Sequence, residues 1–252
     1  MINNLLQAKT ILITGASSGI GKQAAIFFSK QGAKVAITGR NQERLNETLS
    51  LLTGNGHIAI TANLDSQNTI ELLVKQVTEK LGPLDSILHC AGIQKTLPLK
   101  VLKEAHFDDV FNANVKSAQF LAKSFIKKSR FNPNGASLIF LSSVAAICGE
   151  PAISTYAASK AALQGLSKSL ALELARLNIR VNCIAPGCVK TEMFDELSKQ
   201  LTDEQYSAIV NKHPLGLGDT YDIAGTAAFL ISDLAKWITG TTLYVDGGYS
   251  AH

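Results

Sequence analysis

The sequence has little charge and no long run of one sign, which limits the partners it can bind. Charged residues make up 17% of the 252-residue chain and the net charge is +4, without the Lys/Arg run of a nucleic-acid-binding surface. The longest uncharged run, residues 131–149, is interrupted by Asn, Pro, Gly and Ser, so it does not predict a transmembrane helix. We therefore expect neither a nucleic-acid partner nor a membrane partner.

Cysteine and histidine are also scarce, and their spacing argues against a metal site. The four cysteines, at positions 90, 148, 183 and 188, form no Cys-x-x-Cys pair, and the five histidines have no ligand spacing. Three of the cysteines lie in apolar runs, which favours buried, reduced thiols. Residues 1–9 lack a signal-peptide pattern. We predict a cytoplasmic protein without a bound metal.

Short aliphatic runs alternate with longer segments of helical spacing along the whole chain. The runs predict strands at residues 10–14, 34–38, 58–62, 86–90, 137–142, 180–185 and 242–245. Helices are predicted near residues 20–30, 41–52, 66–82, 107–128, 154–177 and 222–232. Such alternation is typical of a parallel sheet covered on both faces. We predict an α/β fold, a single doubly wound Rossmann domain over residues 1–252 with about seven strands.

The first predicted strand runs directly into a glycine-rich turn, residues 14–21 (TGASSGIG). Glycines there allow a tight turn, a close approach of backbone to a pyrophosphate, and close packing of helix on sheet. The N-terminus of the next helix offers unpaired N–H groups to phosphates. A glycine triplet can also be an ordinary tight turn, but the strand–turn–helix context favours dinucleotide binding. The predicted contacts are Gly15, Ser17, Ser18, Gly19, Ile20 and Gly21.

This turn and six further motifs resemble the short-chain dehydrogenase/reductase family. The others are HCAGI at 89–93, Asn114 in FNANV, the serine pair in FLSSV, YAASK at 156–160, PGCVKT at 186–191 and VDGG at 245–248. The resemblance covers essentially the whole chain, and the 3-oxoacyl-[acyl-carrier-protein] reductases are the nearest group in overall appearance. It implies a nicotinamide-dependent oxidoreductase that interconverts a carbonyl and an alcohol. It also implies a homotetramer formed through the helices that carry Asn114 and Tyr156.

The residue after the second predicted strand bears on the choice of cofactor. That strand ends at Gly39 without the acid that binds the adenosine ribose of NAD in such folds. Arg40 follows and could pair with a 2′-phosphate, in a position that resembles the NADP-preferring members. The alternative is that Arg40 is a solvated loop residue, and Ser18 stands where some NADP-binding relatives have a second basic residue. NADP(H) is favoured, with NAD(H) as the alternative.

Two motifs depart from the family pattern. Asn63 and Leu64 match the acid–hydrophobic pair that contacts adenine, although Asn63 could instead close a turn at a strand end. His89 and Cys90 replace two asparagines and cannot make the side-chain bonds of those amides across the sheet, so we interpret them as packing variants with retained backbone contacts. The remaining cofactor contacts implied by the resemblance are Cys90, Ala91, Gly92, Tyr156, Lys160, Pro186, Gly187, Val189 and Thr191.

Tyr156 and Lys160 form the centre of the predicted catalytic set. Their i, i+4 spacing places both on one helix face, and an ammonium about 4 Å from the phenol would lower its pKa by about 3 units. They lie downstream of Ser143, which by the resemblance binds the substrate carbonyl while Tyr156 delivers the proton. The resemblance also gives Lys160 a bond to the nicotinamide ribose and gives Asn114 a water. The alternative for Asn114 is an amide at a helix kink.

The substrate is the least readable part of the sequence. Residues 192–217 are predicted to form a lid over the pocket. The first hypothesis is NADPH-dependent reduction of a ketone or β-ketoacyl compound. The second is an NAD(H)-dependent alcohol, polyol or steroid dehydrogenase. A non-catalytic nucleotide-sensing protein is the third, disfavoured by the intact catalytic set. An acyl carrier protein is a candidate partner, for which a basic surface beside the pocket would come from Lys127, Lys128, Arg130 and Arg176.

Overall fold

The computed structural model describes residues 4–199 and 201–251, in which seven parallel strands form one sheet. The strands are β1 (Thr10–Thr14), β2 (Lys34–Gly39), β3 (Ile58–Thr61), β4 (Ser86–His89), β5 (Ala136–Leu141), β6 (Ile179–Pro186) and β7 (Thr242–Val245). Their order, β3-β2-β1-β4-β5-β6-β7, reverses direction between β1 and β4. The predicted Rossmann fold is confirmed, and each predicted strand end differs from the observed one by at most one residue.

Helices cover both faces of the sheet. They are α1 (Gly19–Lys30), α2 (Gln42–Ser50), α3 (Gln67–Leu81), α4 (Glu104–Phe111), α5 (Ser117–Phe125), α6 (Ser154–Leu174), α7 (Glu192–Ser198), α8 (Asp203–Asn211) and α9 (Thr220–Ile231). Helices α1, α2 and α9 contribute to one core, and α3, α5 and α6 contribute to the other. None of the helices in the described ranges is long and apolar enough to cross a bilayer.

The strands are mostly apolar because their side chains alternate between two covered faces. In β1, Ile11 and Ile13 join the core that contains Phe28 of α1. The residue between them, Leu12, joins the core that contains Phe125 of α5. All five side chains are fully buried, and each is worth about 1.5–3 kcal/mol relative to leaving it in water. The cores hold the carboxyl ends of the strands in fixed positions, where the loops described below emerge.

The segment between β4 and β5 differs from the continuous helix predicted over residues 107–128. Between α4 and α5 lies one π-helical turn, Asn112–Lys116, in which the N–H of Ser117 donates to the carbonyl of Asn112. This bond spans five residues, so the turn holds one residue more than an α-helical turn. Asn114 lies at the centre of the π turn and is fully buried.

The predicted lid contains two helices, α7 and α8, for which the sequence analysis predicted no secondary structure. Helix α8 begins with a capping box, because Thr202 accepts from the N–H of Gln205 and the Gln205 side chain accepts from the N–H of Thr202. Gln200, within the predicted lid, lies outside the described residues, as do residues 1–3 and His252 of the predicted domain. The lid function and the domain boundaries stay predictions.

Candidate active site

The glycine-rich turn connects β1 to α1 at the carboxyl edge of the sheet, beside the point where the strand order reverses. Gly15 has a φ of +65°, and a Cβ built on it would lie 2.7 Å from the backbone N of Ala91. Gly19 has a φ of +51°, and a Cβ built on it would lie 3.5 Å from the methyl carbon of Thr191. Both positions favour glycine, because another residue would have to adopt a left-handed backbone.

The first turn of α1 is open to an anion. The N–H groups of Gly19, Ile20 and Gly21 precede the first intrahelical bond, which Lys22 donates to the carbonyl of Ser18. Ser18 occupies the N-cap position without a side-chain cap bond, and no acidic residue lies in this turn. Unpaired donors, a favourable helix dipole and glycines that admit a close approach fit the pyrophosphate of a dinucleotide. The side chain of Ser17 lies beside the end of β2, since its Oγ is 3.2 Å from the ideal Cβ position of Gly39.

Arg40 follows Gly39 and is exposed beside this cradle. Its guanidinium makes no ion pair within the described ranges. Asn63 is also exposed, and its amide Nδ2 donates to the carboxylate of Asp65 over 2.8 Å, which is the turn-closing bond that the sequence analysis left open. Leu64 is half-buried and packs against the core beneath α3 and α5. Arg40 therefore places a cation next to the cradle, while Asn63 already has a local partner.

His89 makes side-chain hydrogen bonds of its own, at a position where the bonds of the replaced asparagines were predicted to be lost. The buried imidazole lies 2.7 Å from Oγ1 of Thr14 and 3.0 Å from Oγ of Ser117. Ser117 donates its hydroxyl proton to the carbonyl of Ala113, so we assign the ring proton to Nε2 and an acceptor role to Nδ1. Burial lowers the pKa of His89 to about 3, with a smaller contribution from Lys160. A neutral imidazole thus forms hydrogen bonds across the sheet. These bonds stand in the place of those that the two asparagine side chains of the family pattern would make.

Residues 90–92 pack against the glycine-rich turn and against the side chains of Asn114 and Lys160. The N–H of Ala91 donates to Oγ1 of Thr14 over 3.1 Å. Burial raises the pKa of the Cys90 thiol to about 12, so this cysteine stays protonated and unreactive at neutral pH. A Cβ on Gly92 would lie 2.9 Å from Oδ1 of Asn114 and 3.5 Å from Nζ of Lys160. Gly92 therefore marks the place where these two side chains converge.

The Asn114 side chain is occupied by structural hydrogen bonds. Its Oδ1 accepts from the N–H of Ile93 over 2.8 Å, and its Nδ2 donates to the carbonyl of Ile93 over 3.0 Å. Nδ2 also donates to Oγ of Ser159 over 2.9 Å. The amide therefore ties the loop after β4 to α6 through the π turn. The expected water contact of Asn114 stays a prediction.

Ser143 and Tyr156 meet at the mouth of the site. Ser143 follows β5 and caps a short 3₁₀ turn, where its Oγ accepts from the N–H of Ala145 over 3.2 Å. Its side chain also lies close enough to the phenol of Tyr156 to lower the pKa of that phenol. Burial has the larger, opposite effect, so the pKa of Tyr156 lies above its ordinary value of 10.

Lys160 does not act on Tyr156 in the way the sequence suggested. Its Nζ donates to the carbonyl of Leu141 over 2.7 Å and lies 5.5 Å from the centroid of the Tyr156 ring. Burial lowers the pKa of Lys160 to about 8. The predicted net fall in the pKa of Tyr156 is wrong for this structure, because desolvation of the phenol outweighs the influences that lower its pKa.

Sequence reasoning missed several residues that fix this geometry. Ser159 donates to the carbonyl of Tyr156 over 2.7 Å, and Ser142 donates to the carbonyl of Lys160 over 2.8 Å and accepts from Gln164. The polar residues of α6 that point toward the sheet were the available signal, since such positions are normally apolar. No sequence pattern could have indicated the carbonyl of Leu141, because every residue has a backbone carbonyl.

The segment after β6 forms the opposite wall. The N–H of Gly187, next to the buried Pro186, donates to the carbonyl of Val245 over 3.1 Å. Val189 forms a β-bridge with Gly218. Thr191 caps the first turn of α7, because its Oγ1 accepts from the N–H of Phe194 over 3.3 Å. The predicted contacts at 186–191 are thus brought opposite the glycine-rich turn, which Thr191 touches.

The predicted basic surface beside the pocket is wrong. Lys127 and Arg130 bind Glu71 of α3 over 2.7 and 2.6 Å. The carbonyl of Arg130 accepts from the N–H of Leu84, two residues before β4 begins, and Arg176 lies just before β6. These cations therefore lie near the amino ends of the strands, while the site lies at the carboxyl ends; Lys128 belongs to the same segment as Lys127 and Arg130. Helical spacing alone did not predict at which edge of the sheet the basic residues after α5 would lie.

The arrangement combines an anion cradle with two neighbouring hydroxyl groups and a buried amine. Two hydroxyls can donate hydrogen bonds to one oxygen of a bound molecule, and a phenol can also transfer its proton. A search of the described residues finds no group of three or more His, Cys, Asp or Glu side chains placed to hold a metal. The chemistry that these residues support is proton transfer beside a bound dinucleotide.

Comparison with known proteins gives consistent results over nearly the whole chain. A family model described as enoyl-(acyl carrier protein) reductase matches residues 15–250. The 3-oxoacyl-[acyl-carrier-protein] reductase FabG of Rickettsia felis is 41% identical over 245 residues, covering 96% of this chain and 97% of the relative. The (2S)-[(R)-hydroxy(phenyl)methyl]succinyl-CoA dehydrogenase subunit BbsD of Thauera aromatica is 34% identical over 97% of this chain and 98% of its own length. A short-chain type dehydrogenase/reductase from Mycobacterium ulcerans superposes with a TM-score of 0.90 at 30% identity, covering 96% of this chain and 90% of that one.

Proposed function

Because this chain belongs to the short-chain dehydrogenase/reductase family of oxidoreductases, we propose that it uses NADPH to reduce a ketone or β-ketoacyl carbonyl to an alcohol. The substrate class that we favour is the 3-oxoacyl thioester. The relative from Rickettsia felis is named for a substrate on an acyl carrier protein, and the one from Thauera aromatica for a coenzyme A ester. Both names describe acyl groups held as thioesters.

The observation that carries the proposal is the proximity of the Ser143 hydroxyl to the phenol of Tyr156, which shows in its effect on the pKa of that phenol. Tyr156 is the proton donor, and its raised pKa keeps the proton on the phenol at neutral pH. A carbonyl oxygen between the two hydroxyls would accept a hydrogen bond from each, and the phenol proton moves to that oxygen as it gains negative charge. When bound, the nicotinamide cofactor supplies the hydride to the carbonyl carbon.

Lys160 stabilises the tyrosinate that remains after proton transfer. At 5.5 Å from the ring centroid, an ammonium attracts a unit negative charge by about 3 kcal/mol at an effective dielectric constant near 20. Its pKa of about 8 leaves the amine mostly protonated at pH 7. The carbonyl of Leu141 holds Nζ in place over 2.7 Å, so the cation is already positioned before the charge appears.

The cofactor assignment rests on the cradle and on the cation next to it. The glycine-rich turn and the unpaired N–H groups of α1 would hold the pyrophosphate, and Arg40 would bind the 2′-phosphate. Gly92, Val189 and Thr191 would contact the nicotinamide end. Asn63 and Leu64 would border the adenine, with the Asn63 amide already directed at Asp65.

Replacing Tyr156 by Phe tests the proton donor. Tyr156→Phe removes the proton but keeps the ring, so kcat should fall about 10²- to 10⁴-fold, while the Kd for NADPH changes by no more than a few fold. Steady-state kinetics with a 3-oxoacyl thioester of N-acetylcysteamine and fluorescence titration with NADPH give the two values. Tyr221→Phe, an aromatic residue of α9 that packs against Phe27, is the matched control. Normal turnover by Tyr156→Phe would refute the mechanism.

Replacing Arg40 by Ala tests the cofactor. An arginine–phosphate contact contributes about 1.5–3 kcal/mol, so Arg40→Ala should weaken NADPH binding by about 10- to 100-fold and leave NADH binding unchanged. Arg44→Ala is the control, because that guanidinium lies one helical turn away and pairs with Glu192 over 3.1 Å. If the wild-type chain binds NADH as tightly as NADPH, the NAD(H)-dependent alcohol dehydrogenase becomes the better assignment.

We also propose a homotetramer and an acyl carrier protein as a partner. The carrier is inferred from the name of the Rickettsia felis relative, although Lys127, Lys128, Arg130 and Arg176 lie at the opposite edge of the sheet from the site. Light scattering at micromolar concentration tests the tetramer, and a monomer would contradict it. Comparing turnover of a carrier-bound acyl group with that of its N-acetylcysteamine thioester tests the partner, since equal kcat/KM would contradict a specific role for the carrier.

A further inference from the structure

His213 is a buried histidine between the end of α8 and the segment that follows β6. Its Nε2 lies 3.0 Å from the backbone N of Cys188, and its Nδ1 lies 2.8 Å from the carbonyl oxygen of Ile209. A backbone N–H only donates, so Nε2 must be the acceptor and the ring proton must reside on Nδ1. The imidazole is thus a neutral bridge with one defined tautomer and 4% exposure.

We propose that His213 is a positioning residue for the nicotinamide end of the cofactor site. The inference rests on the proposed function, because residues 187–191 are the wall assigned there to the nicotinamide. Cys188 lies in the middle of that wall, between Gly187 and Val189. By accepting its N–H, His213 fixes the plane of the Gly187–Cys188 peptide, which precedes Val189 and Thr191.

Close packing restricts the segment to this position. A Cβ on Gly187 would lie 2.9 Å from Nε2 of His213 and 2.9 Å from Cα of Asp246. The imidazole and the C-terminal segment therefore enclose the turn from two sides. Beyond Cys188 the backbone continues in a bridge, since the N–H of Lys190 donates to the carbonyl of Gly218 over 2.9 Å. The ring and the C-terminal segment thus restrict Gly187, and the bridge to Gly218 holds the backbone after Cys188.

The imidazole is itself held by a second set of contacts. Its ring lies 4.8 Å from the ring of Tyr249, centroid to centroid. The hydroxyl of Tyr249 donates to the Glu150 carboxylate over 2.6 Å, and Lys212, next to His213 in the chain, binds the same carboxylate. Glu150 belongs to the loop that precedes α6. His213 thus connects the lid, the loop before α6 and the nicotinamide wall.

Loss of the acceptor would leave the Cys188 N–H without its partner. An unpaired buried donor is destabilising, so the peptide would turn toward water or another acceptor and move the wall with it. The glycine-rich turn and Arg40 lie on other loops and would keep their geometry. The cofactor should therefore lose affinity at its nicotinamide end while the adenosine end still binds.

Two probes separate these ends: NADPH, and 2′-phospho-ADP-ribose, which lacks the nicotinamide. Isothermal titration calorimetry is done on the full chain with both. Asn at position 213 can still donate to Ile209 but is too short to accept from Cys188, whereas Gln reaches the place of Nε2. We expect His213→Asn to weaken NADPH binding by tenfold or more and the fragment by less than twofold. His213→Gln should keep both affinities within about threefold.

Three outcomes would overturn the proposal. NADPH affinity could be unchanged in His213→Asn, both ligands could weaken equally, or Gln could fail to restore what Asn loses. A wild-type chain that binds neither ligand would instead refute the proposed function, and one that binds only the fragment would refute the nicotinamide assignment. Should the Asn variant not fold, hydrogen exchange in the wild-type protein decides: the Cys188 amide must be protected without cofactor, and rapid exchange would overturn the proposal.

Discussion

The polar groups at the two edges of the sheet have pKa values that are shifted for different reasons. At the amino edge, Glu71 is bound by Arg130 and Lys127, and these bonds lower its pKa to about 2. At the carboxyl edge, burial lowers the pKa of Lys160 to about 8 and that of His89 to about 3. The described residues give Lys160 a carbonyl partner but no carboxylate. The charge of Glu71 is therefore stabilised, while the charged forms of Lys160 and His89 are penalised.

This difference separates a polar network that supports the fold from one that is poised for chemistry. Paired charges at the amino edge hold α3 against the end of α5. At the carboxyl edge, no opposite charge in the described part of the chain offsets the loss of hydration of Lys160 and His89, so burial shifts their pKa values. Such shifts are common at catalytic sites and lower the stability of the fold. The contrast predicts that substitutions at the two edges change stability with opposite signs.

The largest expected effect on stability comes from His89 in acid. Its folded-state pKa of about 3 lies below the ordinary value of 6.5, so the unfolded chain binds the proton first and stability falls as the pH drops below 6.5. Between pH 6.5 and 4.5 this loss should be about 2 to 3 kcal/mol. Urea unfolding across that range measures it, and His89→Asn should show a smaller slope.

Glu71→Gln is the control for the pH range from 6.5 to 4.5. The Glu71 carboxyl has a lowered folded-state pKa, so its contribution is present above pH 4.5 and is lost only as the pH falls toward 2. The variant should therefore keep the wild-type slope between pH 6.5 and 4.5. Equal slopes in wild type and His89→Asn would show that His89 is not the group responsible.

The next effect is a gain of stability on removing Lys160. A fall in pKa from 10.5 to about 8 corresponds to a penalty of about 3 kcal/mol at pH 7, where the amine is protonated in both states. Lys160→Met removes this penalty but loses the bond to Leu141, so the free energy of unfolding should rise by about 1–2 kcal/mol. Turnover should be lost. Urea unfolding without cofactor measures the gain, and a destabilised variant would remove the contrast between the edges.

The smallest expected effect is a loss of stability at the amino edge. Glu71→Gln keeps an acceptor but removes the charge shared by Arg130 and Lys127, of which Lys127 is about half exposed and screened. The free energy of unfolding at pH 7 should fall by about 1 kcal/mol, and NADPH binding should not change. Thermal unfolding and NADPH titration check both, and altered NADPH affinity would show that the two edges are coupled.

Strand positions followed from the sequence because apolar runs and glycine-rich turns are local signals. The glycine-rich turn, Ser143, Tyr156 and Lys160 were located by short motifs with fixed spacing, and the structure brings them to one edge. The helices of the lid were missed because α7 and α8 are short and polar, although the pattern Thr202 to Gln205 is a capping signal. The lid region also contains His213, which was considered only as a metal ligand.

The sequence by itself determined the alternation of buried strands and helices, the place of the glycine-rich turn and the catalytic residue types, since each depends on neighbours along the chain. Only the tertiary structure decided at which edge Arg130 would lie, which atoms His89 and Lys160 would bind, and in which direction burial would shift their pKa values. Those properties depend on desolvation and on backbone carbonyls supplied by distant segments. No local pattern encodes the carbonyl of Leu141 beside Lys160 or the N–H of Cys188 beside His213.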